Sequence, residues 1–86
     1  MRLDVTIVTE HLDDIPIADT GTRLPITGDY RQITSVLLTL QEDGGTAVSF
    51  RVVDKDHDDG PLVEVYDGAG AMTTGTVDAL IRGARA

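Results

Sequence analysis

Seven residues in the middle of the chain, Asp54-Lys55-Asp56-His57-Asp58-Asp59-Gly60, hold the densest set of groups able to do chemistry. Asp54, Asp56, Asp58 and Asp59 are hard oxygen donors that repel one another at close range, so a bound cation relieves that repulsion. They are the candidate metal ligands, with calcium as the cofactor they would take. No other cofactor is expected. A second run of acids, Asp13 and Asp14 with Asp19 a few residues on, joins this loop as the candidate surface for a basic protein partner. The two histidines lie beside carboxylates, in Glu10-His11-Leu12-Asp13-Asp14 and Asp56-His57-Asp58, which favours the imidazolium form. A two-histidine metal site would need these segments to meet in space, and the histidines are read as surface residues.

Two short motifs resemble known ones. The acidic loop resembles the D-x-D-x-D-G core of calcium loops, but Asp59 intervenes before Gly60, and the twelfth-position ligand falls at Val65 rather than at Glu64. The competing reading is a solvated hairpin loop in which Asp-Gly-Pro makes a turn. Ile17-Ala18-Asp19-Thr20-Gly21-Thr22 resembles the Asp-Thr-Gly signature of retroviral-type aspartic proteases, in which two chains each supply one Asp to a shared dyad. That resemblance implies Asp19 as the catalytic residue and an obligatory homodimer. It covers six residues, and Pro16 interrupts the apolar strand that should precede the motif. Asp19-Thr20-Gly21 is otherwise a turn. Gly68-Ala69-Gly70 lacks the third glycine and the following basic residue of a phosphate cradle and reads as a flexible linker. Ser35 and Ser49 suggest no Ser-His-Asp arrangement, so the chain is expected not to be an enzyme.

Composition narrows the classes further. The chain has 86 residues, 15 Asp plus Glu against 7 Lys plus Arg, and a net charge of -8. Binding to nucleic acid or to anionic lipid requires cationic side chains to neutralise phosphate, so neither is expected. The absence of cysteine removes disulfides, thiolate nucleophiles and thiolate metal sites. No run of 18 apolar residues occurs, and Asp4 stands where a signal peptide would be apolar, so the expectation is a soluble protein of the cytoplasm or of a virion. Nine Val, eight Leu and six Ile with a single Phe make an aliphatic, thin core for one domain, 1–86.

The elements that must position these residues are read from periodicity. Leu3, Val5 and Ile7 alternate with polar residues and predict a first strand over 1–10. Pro16, Pro25, Gly21, Gly28 and four Asp break the pattern over 11–29, which reads as an irregular connection with at most a short edge segment at 23–27. Glu42-Asp43-Gly44-Gly45 reads as a hairpin turn between strands 32–41 and 46–53. A three-residue loop with Gly45 in the left-handed position would pair Leu40 with Val48, Leu38 with Phe50 and Val36 with Val52. A further strand over 62–66 would pair Val52 with Val63 and Phe50 with Val65, completing a meander. Residues 76–86 predict a helix. Thr76 would cap it, Asp78 and Arg82 would form an i, i+4 pair, and Val77, Leu80, Ile81 and Ala84 would make one apolar stripe.

The fold class that follows is α+β: a small, mainly antiparallel sheet of four or five strands with one C-terminal helix on its apolar face. One short helix leaves part of such a sheet or its edges open, which points to binding. The expected function is a small acidic protein–protein interaction module: an adaptor, an inhibitor, or a subunit of a larger assembly such as a virion. Another protein, possibly basic, is the expected partner, and a homo-oligomer fits too. The alternative is an acidic DNA-mimic inhibitor of a nuclease or other defence enzyme, with carboxylates spaced like phosphates. Loops 11–29 and 54–60 are the expected contact surfaces, because loops carry binding more often than core elements do.

Overall fold

The computed structural model describes residues 6–41, 46–55 and 59–85, and within them the chain is all β. The strands are β1 (Ile7–Ile17), β2 (Thr22–Arg23), β3 (Tyr30–Leu40), β4 (Ala47–Val53), β5 (Leu62–Asp67), β6 (Met72–Thr73) and β7 (Gly75–Arg85). Two antiparallel sheets form. One has the order β1-β7-β3, and the other β2-β5-β4 with β6 also paired to β5. Three eleven-residue strands at ~3.4 Å per residue make the first sheet long, and the molecule measures 52 × 19 × 18 Å.

The core lies between the sheets. Val63 and Val65 of β5 meet Val77, Ala79 and Ile81 of β7 in one cluster with Ile17, Leu24 and Ile33, and all eight are buried. The alternation along β7 sets this up, since Val77, Ala79 and Ile81 share one face while Asp78, Leu80 and Arg82 share the other. Leu80 is sandwiched in register between His11 of β1 and Leu37 of β3.

The largest correction to the sequence reading is the absence of the C-terminal helix: Gly75–Arg85 is a strand, and the central one of its sheet. The stripe Val77, Leu80, Ile81 and Ala84 fits a helix, but Val77, Ala79 and Ile81 fit a strand equally well. Length did not arbitrate. What selects the strand is burial on both sides by β1 and β3, together with β-branched Thr76, Val77 and Ile81. Gly83 adds a steric reason. A Cβ there would collide with the Gln32 carbonyl and stand 2.8 Å from the Tyr30 ring, so the close approach of β3 to β7 at this end requires glycine.

The irregular connection over 11–29 is also corrected. Strand β1 runs through it to Ile17, and β2 follows after a turn. The acids that break the alternation are accommodated by a bulge: pairing with β7 shifts register between Leu12 and Ile15, and Asp14 takes a left-handed backbone with φ of 56°. Pro16 is tolerated because β1 lies at the edge of its sheet, with one side unpaired by any described strand. The face assignment fails at Ile7, which is 52% exposed on the outer face opposite Ala84. Leu3 and Val5 lie outside the described residues.

The β3–β4 hairpin ladder is not formed. Strand β3 pairs with β7, and β4 pairs with β5 in the other sheet, so Val36, Leu38 and Leu40 do not pair with Val52, Phe50 and Val48. The connecting residues 42–45 lie outside the described residues. The expected pairing of β4 with β5 is present in register, Val52 with Val63 and Phe50 with Val65.

Candidate functional site

The acids singled out in the sequence are spread over separate places. Asp13 and Asp14 form the β1 bulge. Gln41 Nε2 donates to Asp14 Oδ1 and to Asp78 Oδ1, both at 2.7 Å, and the Asp14 amide donates to Asp78 Oδ1 at 3.0 Å. The amide of Asp14 and the Gln41 side chain hold the Asp78 carboxyl below its ordinary value; partial burial opposes this and His11 adds to it. Asp78 was missed as a partner of this bulge because the helical reading placed it on a different element. His11 is exposed, 3.6 Å from Asp13.

Asp19 stands exposed in the turn between β1 and β2, where the Gly21 amide donates to the Ala18 carbonyl and the Ala18 amide to Thr22 Oγ1. Gly21 has φ of 89°, so Asp19-Thr20-Gly21 is a tight turn whose glycine carries the left-handed backbone. In the acidic loop, Asp54 lies 4.0 Å from Arg23 Nη2, and Arg23 Nη1 donates to the Gly60 carbonyl at 2.9 Å. Asp59 is exposed. Asp56, His57 and Asp58 lie outside the described residues. Among the described residues no group of three or more His, Cys, Asp or Glu is placed to hold a metal ion.

A carboxylate that the sequence did not single out does the most structural work. Glu10 accepts hydrogen bonds from the Thr27 amide (2.7 Å), the Gly28 amide (3.0 Å), the Thr27 hydroxyl (2.9 Å) and the Tyr30 hydroxyl (3.0 Å). Burial pushes its pKa up, but these four bonds outweigh it and leave the group below its ordinary value of 4.5. Burial, then the bond to Glu10 and its charge, push the Tyr30 phenol up to about 12. This cluster fastens the start of β3 to β1.

The surface least like the rest of the molecule is the side where the edge strands β3 and β4 lie alongside one another. Their eighteen residues include Arg31 and Arg51 and no acid. Three of the five large hydrophobic residues exposed among the described ones are here: Leu37 (61%), Val48 (66%) and Phe50 (42%). From Ser35 to Leu40, β3 pairs residue for residue with Arg82 to Val77 and leaves its other side unpaired by any described strand. Towards the start of β3, Lys55 Nζ donates to the Ile33 carbonyl at 2.8 Å.

Compared with protein-family models, with curated proteins and with solved structures, the chain matches none. The site is therefore defined by its physics alone. No helix of the described residues is long and apolar enough to cross a membrane. On the outer face of the second sheet, Arg51 Nε lies 3.5 Å from Glu64 Oε1, which also accepts from the Tyr66 hydroxyl at 2.8 Å. Glu64 is thus held by one ion pair and one phenol hydrogen bond.

Proposed function

We propose that this protein is a non-enzymatic protein–protein interaction module, a subunit or adaptor that engages its partner along the β3–β4 side. The observation that carries the reading is the acid-free run Ser35–Leu40, unpaired by any described strand on one side, with Leu37 exposed within it and Val48 and Phe50 exposed on the neighbouring strand β4. An edge strand offers a row of backbone donors and acceptors, and exposed apolar side chains next to it add buried area when another strand is laid down. This moves the proposed contact away from loops 11–29 and 54–60. Asp13, Asp14, Asp19, Asp54, Asp56, Asp58 and Asp59 then act by keeping the molecule soluble and by steering, not as the contact itself.

The test is a comparison of two variants in capture of bound proteins from the native host. Leu37→Lys with Phe50→Lys places charge on the β3–β4 side and abolishes capture. Asp13→Asn with Asp54→Asn leaves it intact. The opposite pattern, with binding lost on neutralising acids and falling steeply with salt, overturns the proposal in favour of an acidic decoy for a nucleic-acid enzyme.

A further inference from the structure

We infer that residues 25–29 form an acid-released strap: backbone bonds tie it at both ends, the Glu10 carboxylate holds down its middle, and it lifts when that carboxylate takes up a proton while both sheets stay folded. This goes beyond the interaction reading and does not depend on it.

The strap crosses from the second sheet to the first. At its start the Leu24 amide donates to the Pro61 carbonyl at 2.8 Å, and Arg23 beside it donates through Nη1 to the Gly60 carbonyl at 2.9 Å. At its end Tyr30 enters β3 opposite Arg85, whose amide donates to the Thr6 carbonyl at 3.0 Å. The acceptors at both ends are carbonyls, which do not titrate.

The middle is held differently. Glu10 Oε2 accepts from the Thr27 amide (2.7 Å) and hydroxyl (2.9 Å), and Oε1 accepts from the Gly28 amide and the Tyr30 hydroxyl (both 3.0 Å). Each oxygen thus serves one amide and one hydroxyl. A proton on either oxygen points a donor at an amide N–H, which cannot accept. Protonation therefore undoes the clasp whichever oxygen carries it. Because the four bonds favour the charged form, release falls on the acid side of the ordinary glutamate range. Thr27 is exposed, so the proton arrives directly from solvent.

The other ionisable groups around the clasp do not act on it in the same range. Tyr30 is neutral throughout acid pH, His11 stands on the opposite face of β1, and Asp29, Arg31 and Arg85 are exposed at the end of the strap. Ile81, which pairs with Glu10 on β7, carries no charge.

The fit of the Tyr30 ring shows what lifting uncovers. Its Cδ1 edge lies against Gly83 and its Cε2 edge against Gly28, each so close that a Cβ on the glycine would stand 2.8 Å away. Gly28 is the part of the strap that covers the ring. Ile26 packs half-buried against the core. Lifting uncovers the ring and draws Ile26 outwards, so aromatic and apolar surface that is covered at neutral pH is presented in acid.

Hydrogen exchange read by NMR at each amide between pH 7 and pH 3, normalised to the rates of an unstructured chain, tests this. Protection of the Thr27 and Gly28 amides falls about tenfold or more in acid, whereas Leu24 and Ile81 keep theirs. In Glu10→Gln the carboxamide nitrogen points a donor at an amide at every pH, so both amides are weakly protected from the start and lose nothing further in acid. Loss of Thr27 and Gly28 protection together with that of Leu24 and Ile81 is global unfolding and overturns the inference. Unchanged protection in acid overturns it too, as does an acid loss that persists in Glu10→Gln and so belongs to another carboxylate. If Glu10→Gln does not fold, the wild-type pattern decides between release of the strap and global unfolding.

Discussion

The two edges of the long sheet, β1 and β3, have the same length and pair with the same central strand, yet they are finished in opposite ways. Strand β1 carries a bulge of two aspartates, one with φ of 56°, and a proline near its end. Strand β3 carries a single arginine, no acid and no proline. The features that made 11–29 look structureless are those that keep a regular edge strand from recruiting another chain. The features that made 32–41 look like one arm of a hairpin leave it ready to pair with something else. An irregular sequence pattern can thus mark a protected strand, and a regular one an unprotected strand.

The sharpest way to break the comparison is to remove the strand both edges share. Gly83→Val drives a side chain into the Gln32 carbonyl and the Tyr30 ring, and is expected to destabilise the fold by about 2–4 kcal/mol in urea unfolding, detaching β3 first. Loss of amide protection in β3 ahead of β1 by hydrogen exchange checks the order.

Next in size is the clasp between the edges. Glu10→Gln leaves two amides and two hydroxyls with a poorer acceptor and is expected to cost about 1–2 kcal/mol. The pH dependence follows from the directions of the shifts. Glu10 is more acidic folded than unfolded, so its contribution is full above its unfolded value near 4.5 and is lost as pH falls through the lower folded value. Melting temperatures between neutral pH and pH 3 should fall less steeply in Glu10→Gln than in wild type. Tyr30 has the opposite sign. Its contribution is full below its ordinary 10.0 and is lost as pH rises through about 12, which an ultraviolet titration of the phenols detects.

The bulge of β1 sharpens the comparison at smaller cost. Asp14→Ala forces a side chain without a hydrogen-bonding group into the left-handed region and removes one of the two acceptors of Gln41, for an expected loss of about 1 kcal/mol. Asp14→Gly, which has no such backbone penalty, should lose less, and the difference between the two melts measures the strain. The smallest effect on stability belongs to Leu37→Lys on β3. The residue is 61% exposed, so unfolding free energy is expected to stay within about 0.5 kcal/mol of wild type while capture of the partner is weakened.

Much of the second sheet was legible in advance. The register of β4 with β5 follows from apolar residues at every second position, and Val52 with Val63 and Phe50 with Val65 pair as the alternation dictates. The first sheet was not legible, because its partners are far apart in the chain. Strand β7 pairs with β1 about seventy residues upstream, and no local signal reports that distance. The hairpin argument erred for a related reason. Alternation in 32–40 and 46–53 identifies two strands with apolar faces, but a turn between them serves equally to link two sheets. Of the acids proposed as a site, alternation could not show that Asp14 meets Asp78, since one was assigned to a loop and the other to a helix.

The sequence by itself determined that this is a small, acidic, aliphatic molecule without thiol chemistry, with strands at 46–53 and 62–66 in a definite register. Those are properties of composition and of local period, which a side chain carries with it into any fold. Only the tertiary structure decided that 75–85 is the central strand of a sheet. Val77, Ala79, Ile81 and Leu80 satisfy a helix or a strand with equal ease, and burial between β1, β3 and β5 breaks the tie. That one assignment leaves β1 and β3 as edges, and so moved the proposed function from the acidic loops to the acid-free strand β3.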